Sequence, residues 1–336
     1  MTRYLFSPPS ECHAARVESF SGGEDGFSSI PLRSSGCLVR ASHASVGATD
    51  VMARRGDYLL HPVPGFVSGY DVVGVLERVD GAGSALGLQV GQRVAGILPR
   101  MGAHATWLTV PGSLLVPVPE ALPSAVAATL PLDAVTAKHA IDLLKPGVRT
   151  LFIQGVGGAV GVLAAQLVAR EGIAVIGTAS AASGPVAQRY GAVVVDYRDP
   201  DWPQQVLAHA GPVDGAIDHT GSRDLRALVA PGGRIVRTAF GGKIGRQKRA
   251  TAVGFARTLM RRFASPSEVA CSVPMYVAAR RSAYRRDLRA ALDLAAGGEL
   301  RPLEPELHRA EGFADALRAA GRSAPGQKVV LEFERG

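Results

Sequence analysis

The chemistry easiest to read in the sequence lies in "LFIQGVGGAVG", residues 151 to 161, where an apolar run ends in closely spaced glycines. Leu151 to Ile153 predict a buried parallel strand, and the stretch from Gly161 (GVLAAQLVAR) predicts an amphipathic helix. Between them, Gly155, Val156, Gly157, Gly158, Ala159, Val160 and Gly161 form a turn almost free of bulky side chains. Such a turn lets backbone N–H groups and the positive end of a helix approach a pyrophosphate. Glycine also serves simple tight turns, so the rest of the chain must decide between the two readings.

Two other sets of residues bear on chemistry. Cys12, Cys37 and Cys271 are scattered without CxxC spacing, which argues against a disulfide framework or a structural zinc lobe and suits a reducing cytosol. Each is read as a small packing residue. From Lys243 to Arg262 the chain carries Lys243, Arg246, Lys248, Arg249, Arg257, Arg261 and Arg262 with no acid among them, within a formal net charge of +8. With few aromatic residues interleaved for base stacking, this stretch is read as a solvated loop and helix. No nucleic-acid or membrane partner is expected. A further reading sets one or two of these cations near an anionic cofactor or substrate.

These residues need a frame to hold them. A chain of 336 residues, 47% hydrophobic and 20% charged, suits roughly two packed domains of a soluble globular protein. No apolar run approaches the ~18 residues of a membrane span, and the first residues lack the apolar core of a secretion signal. A cytoplasmic location is expected, with residues 1–15 as a loosely held extension. Residues 37 to 118 are rich in short strand-like runs punctuated by glycine, proline and aspartate. From about Pro123 the texture changes to alternating helix and strand, starting with a helix from Ala125 to Leu144. Five strands alternating with helices predict an α/β fold with a doubly wound parallel sheet. SVPMYVAA, residues 272 to 279, reads as one more strand, and QKVVLEF closes the chain in the style of the early β-rich part. The expected organisation is a β-rich domain over 1–122, a nucleotide-binding sheet over 123–280, and a return to the β-rich domain over 281–336.

With the turn and the β-rich flank together, the chain resembles the medium-chain dehydrogenase/reductase superfamily. It looks most like the zinc-free, zeta-crystallin-like branch of quinone oxidoreductases and enoyl reductases. The resemblance rests on ordered motifs from about Arg40 to the C-terminus: "RASHASVGATDVMARRGDY", "PGFVSGYDVVGVLERVDGAG", "GQRVAG", "PLDAVTAKHAI", "GVGGAVG", "AIDHTGS", "APGGRIVRTAFGG" and "GQKVVLEF". It implies a Rossmann nucleotide-binding sheet inserted in a GroES-like catalytic domain. Where zinc-bearing members place a metal-binding cysteine, this chain has Gly47 and Ala48, and where they place a His-Glu pair it has Tyr70 and Asp71. A lone Asp71 cannot hold zinc, so no metal is expected.

The resemblance also assigns roles. Thr136 is implied beside the nicotinamide; its other reading is a helix hydroxyl bonded one turn back. Dinucleotide folds that select NAD place an acid after the second strand. Here that strand, IAVIGTA, contains Thr178 and is followed by Ser180, with no acid until Asp196, so NADPH is expected. Ser180 and Ser183 can bond a 2′-phosphate, Tyr197 matches a family tyrosine near the adenosine phosphate, and Arg189 either adds charge or is a plain surface residue. Phe240, Gly241 and Gly242 follow the fifth strand and are expected along the cofactor. Tyr58 is the first candidate hydrogen-bond donor to the substrate, with Tyr70 and His104 as weaker ones. Asp50 is read as structural. The implied activity is NADPH-dependent reduction of a conjugated enone, an enoyl group or a quinone, extending in secondary metabolism to reductive cyclisation. The alternatives are a non-catalytic nucleotide-binding scaffold acting through its basic face, and a zinc-independent alcohol dehydrogenase. A homodimer is expected through the 272–279 edge strand.

Overall fold

The computed structural model describes residues 9–20, 26–322 and 324–333. The chain opens with strands Glu11–Val17 (β1), Phe27–Pro31 (β2) and Cys37–Ser45 (β3), then helix Ala48–Arg54 (α1). Strands Phe66–Val67 (β4) and Asp71–Arg78 (β5), helix Gly81–Ala85 (α2), and strands Arg93–Ile97 (β6), Trp107–Val110 (β7) and Leu115–Pro117 (β8) complete the first β-rich stretch. Helices Ser124–Ala128 (α3) and Pro131–Asp142 (α4) lead into Thr150–Gln154 (β9), Ala159–Ala169 (α5), Ala174–Ala179 (β10) and Gly184–Gln188 (α6). Val193–Asp196 (β11), Trp202–Ala210 (α7), Val213–Asp218 (β12), Leu225–Leu228 (α8) and Val229–Arg237 (β13) follow. Gln247–Met260 (α9), Ser267–Ala270 (β14), Val273–Ala279 (α10) and Arg281–Ala296 (α11) precede the last elements, Glu304–Arg309 (β15), Phe313–Arg322 (α12) and Gln327–Glu332 (β16).

Six parallel strands lie in the order β11-β10-β9-β12-β13-β14. The chain leaves β9 toward β10 on one side and later returns to β12 on the other. The order therefore reverses beside β9, and a crevice opens at the carboxyl ends of β9 and β12. Both faces of the sheet are covered, which explains its continuous apolar strands. Phe152 faces one way, onto Ile176, Val206 and Leu225; its neighbours Leu151 and Ile153 face the other, onto Leu163, Val168 and Leu288. Strands from both ends of the chain build a second sheet in the order β15-β16-β3-β5-β6-β8, with β7 also paired to β3. The α/β fold with an inserted parallel sheet is the one expected.

Three expectations change. Residues 273–279 are helical, with Val273 and Val277 buried and Met275 63% exposed. A strand would have set all three on one face, whereas four-residue spacing and Pro274 in the first turn suit a helix. The sheet edge is β14 instead. Residues 11–15 are not loose: they belong to β1, which pairs with β2 and β4 and buries Cys12, Ala14 and Ala15. Of the expected extension, residues 1–8 lie outside the described residues. The helix expected from Ala125 to Leu144 divides at Thr129 and Leu130, because Pro131 fits only a first helical turn. Among the described residues no helix is long and apolar enough to cross a membrane.

Candidate functional site

The carboxyl end of β9 delivers the glycine turn to the crevice. Gly155 has φ +72°, a region that L side chains avoid, and a Cβ there would lie 2.5 Å from the His219 ring. A Cβ on Gly161 would lie 2.4 Å from the Gly155 carbonyl oxygen, so α5 meets the strand this closely only without a side chain. Gly158 stands just before α5, leaving the N–H groups of its first turn without helical acceptors. Thr178 is fully buried beneath the turn, where its hydroxyl accepts from the Gly155 N–H at 3.3 Å and its carbonyl from Val156 at 2.9 Å. Thr178 thus shapes the turn without reaching the cleft. Among the described residues, one buried side-chain atom has no hydrogen-bond partner: Gln154 Oε1, on a residue that lines the crevice. A bare turn at a helix N-terminus fits the pyrophosphate of a dinucleotide.

Past β10, Ser180 and Ser183 hold each other's hydroxyls at 2.9 Å, and Ser183 faces the crevice. Asp196 lies opposite Ala179 in the neighbouring strand, but its carboxylate accepts from the Arg198 N–H at 2.9 Å. Tyr197 is exposed with the Arg198 guanidinium 5.6 Å above its ring, and Arg189 is exposed at the end of α6. Ser180, Arg189 and Tyr197 lie outside the cavity lining.

The crevice widens into a cavity of about 750 Å³ between the parallel sheet and the β-rich part. Its walls include Gly155, Gly157, Gly158, Ala159, Val160 and Gly161, with Thr136, Phe240, Tyr58 and Tyr70. Val156 is buried behind the turn. Gly241 donates its N–H to Thr220 at 2.7 Å and carries the chain past Phe240 to Gly242. Thr136 donates its hydroxyl proton to Leu132 O at 2.6 Å, which leaves the oxygen's lone pairs open toward the cavity. The Tyr58 and Tyr70 hydroxyls meet at 2.8 Å. Burial pushes the Tyr58 phenol up to about 12, and burial together with Tyr58 pushes Tyr70 higher still. The pair therefore stays neutral and can donate one hydrogen bond into the cavity.

His104, expected as a weaker donor to the substrate, is sealed away from the cavity. It is fully buried, its Nε2 donates to the Ser45 carbonyl at 2.9 Å, and its Nδ1 meets Ser68 Oγ at 2.9 Å. With both ring nitrogens engaged and its ring against Phe313, His104 holds β3 to the 68–70 segment and does not line the cavity. Asp50 is likewise structural, accepting from Gly47 and Gly69 N–H groups at 2.9 Å each.

A buried charge cluster that sequence reasoning missed forms part of the cavity wall. Lys328 on β16 pairs with Asp133 on α4 at 2.6 Å, and both face the cavity. Behind them Asp71 is wholly enclosed, accepting from Ser45 Oγ at 2.7 Å and Leu132 N–H at 2.9 Å. Burial raises Asp71 to about 7, with Asp133 adding to the rise and Lys328 opposing it. Lys328 moves the opposite way to most buried amines: burial disfavours its charge, yet Asp133, Asp71 and Asp50 raise it overall. Lys328 and Asp133 lie 195 positions apart, so no local pattern announces the pair. Asp57, also missed, joins the two halves of the molecule by accepting from the Gly245 N–H and, at 3.1 Å, the Gln247 N–H at the start of α9. Among the described residues no group of three or more His, Cys, Asp or Glu side chains converges to hold a metal.

Two family models match this chain: alcohol dehydrogenase GroES-like domain over residues 33–120 and zinc-binding dehydrogenase over residues 190–331. The chain belongs to the medium-chain dehydrogenase/reductase superfamily, whose reductases use nicotinamide cofactors. Trans-enoyl reductase himH of Aspergillus japonicus is 31% identical over 225 residues, covering 62% of this chain and 64% of the relative. Quinone oxidoreductase of Pongo abelii is 25% identical over 246 residues, covering 69% of this chain and 74% of the relative. The crystal structure of CurK enoyl reductase shares the fold, with TM-score 0.76 at 18% identity over 97% of this chain and 100% of that one. The chain spans less than two thirds of the length of the first curated relatives it matches.

Proposed function

We propose that the protein is an NADPH-dependent reductase that transfers hydride, without a metal, to a carbon–carbon double bond conjugated to a carbonyl, or to a quinone. The observation that carries this reading is the single cavity joining the glycine turn, Thr136 and Phe240 to the neutral Tyr58–Tyr70 pair. Bound NADPH supplies the hydride. The first turn of α5 and the bare turn before it hold the pyrophosphate. The Thr136 oxygen accepts from the carboxamide, and Ser180 and Ser183 receive the 2′-phosphate with no acid at the end of β10 to repel it. Arg189 and Tyr197 are the proposed contacts of the adenosine end. On the substrate side, Tyr58 donates a hydrogen bond where negative charge builds, and solvent supplies the proton. The names of the two curated relatives support this substrate range. Although one family description mentions zinc, the Gly47 and Ala48 side chains offer it no ligand atoms, Tyr70 is bonded to Tyr58, and Asp71 accepts from Ser45 Oγ and the Leu132 N–H.

We place the protein in the cytosol, consistent with three free buried thiols, and expect a homodimer across the β14 edge rather than through residues 272–279. Light scattering checks the latter. The function is tested by fluorescence titration with NADPH and NADH, then turnover of 2-cyclohexenone, a crotonyl thioester and benzoquinone. Tighter NADPH binding with reduction of at least one acceptor is expected. Binding of neither nucleotide, or turnover confined to small alcohols, would overturn the reading.

A further inference from the structure

We propose that the ammonium of Lys328 is the electrophile of this active site, donating a hydrogen bond to the substrate oxygen on which negative charge accumulates. The inference rests on the reductase reading above and assigns its missing cation. Lys328 lines the cavity with its side chain only 11% exposed. An ammonium carries three protons; among the described residues Asp133 takes one, and no other acceptor is bonded to it. Two donors on a charged, largely dehydrated group are therefore left for something in the cavity. Charge-assisted hydrogen bonds are the strong ones, and they gain most where water is excluded.

Its position strengthens the assignment. A Cβ built on Gly47 would lie 3.5 Å from Lys328 Nζ. The lysine thus reaches across from β16 to within ordinary contact of the turn that opens α1. Asp133, with Asp71 and Asp50 behind it, keeps the amine protonated at all ordinary pH values, so it acts as a fixed positive pole and keeps its proton. In the reaction, hydride adds at the β carbon and the π electrons move onto the carbonyl oxygen. Lys328 stabilises that oxygen, and the α carbon then takes a proton from water. Tyr58, across the cavity, is the second donor.

The first readout of the test needs neither cofactor nor turnover. 4-Nitrophenol binds as the phenolate, read at 400 nm, and mimics an oxygen of rising negative charge; nitrobenzene is the neutral control. The folded wild type should favour phenolate over the control. Lys328→Met should weaken phenolate roughly tenfold to hundredfold, leave nitrobenzene and NADPH affinities unchanged, and lower kcat more than it raises KM. Lys328→Arg, which keeps the charge and the fold of the cluster, should restore most of the phenolate preference. No phenolate preference in the wild type, or equal preference in wild type and Lys328→Met, would overturn the proposal. So would a loss in Lys328→Met confined to NADPH, which would assign the lysine to the cofactor's phosphates. Failure of the reductase reading shows differently, as absence of NADPH binding or of acceptor reduction in the wild type.

Discussion

Replacing Asp71 by Asn should make the protein more stable at alkaline pH and gain little at acid pH. Asp71 has no exposed surface, and its carboxyl is raised by burial, with Asp133 and Asp50 adding and Lys328 and the Ser45 hydroxyl opposing, to about 7 from the ordinary 3.8. Below about pH 4 both folded and unfolded chains hold this proton, and the group contributes nothing to the pH dependence. Between 3.8 and about 7 the folded chain keeps a proton that the unfolded chain has released, so stability falls as pH rises. Above about 7 both forms are ionised and the loss is complete. At ~1.4 kcal/mol per pH unit, that window amounts to on the order of 4 kcal/mol. Asparagine preserves the shape: its oxygen can accept from Leu132 N–H and its NH2 can donate to Ser45 Oγ. Urea unfolding of both proteins at about pH 4.5, 6 and 8 reads the difference, because titrating groups remote from the Asp71 cluster cancel between them. The variant's advantage should grow by several kcal/mol across the series. A flat difference, or a variant that loses ground as pH rises, would show that the buried carboxylate is stabilising and refute the reasoning.

Gly161→Val would set side-chain atoms against the Gly155 carbonyl, where even a Cβ comes to 2.4 Å; NADPH binding by fluorescence should fall at least tenfold, with the cooperative unfolding transition retained. Asp57→Ala removes the acceptor for the Gly245 and Gln247 N–H groups; stability should drop by ~1–3 kcal/mol, and hydrogen exchange over residues 245–250 should accelerate more than in the parallel sheet. Tyr58→Phe strands the buried Tyr70 hydroxyl; turnover should fall no more than roughly tenfold to hundredfold with NADPH affinity unchanged, because water can still protonate the carbon.

The sequence by itself determined the order of the first five strands of the parallel sheet, with the helices between them, and the place of the dinucleotide turn. Both are written locally: Leu151 to Ile153 is an apolar run, and glycines that must avoid His219 and the Gly155 carbonyl leave a visible spacing. Local pattern also misled, since Val273 to Ala279 is apolar enough for a strand and only its packing, with Met275 turned outward, makes it a helix. Tertiary structure alone decided which polar groups meet. It seals His104 between Ser45 and Ser68, sets the Tyr58 and Tyr70 hydroxyls together, and brings Lys328 from one end of the chain to Asp133 and the edge of Gly47. The physical reason is range. Backbone preference and periodicity act over a few residues, whereas a buried ion pair exists only once two distant segments have excluded water from between them.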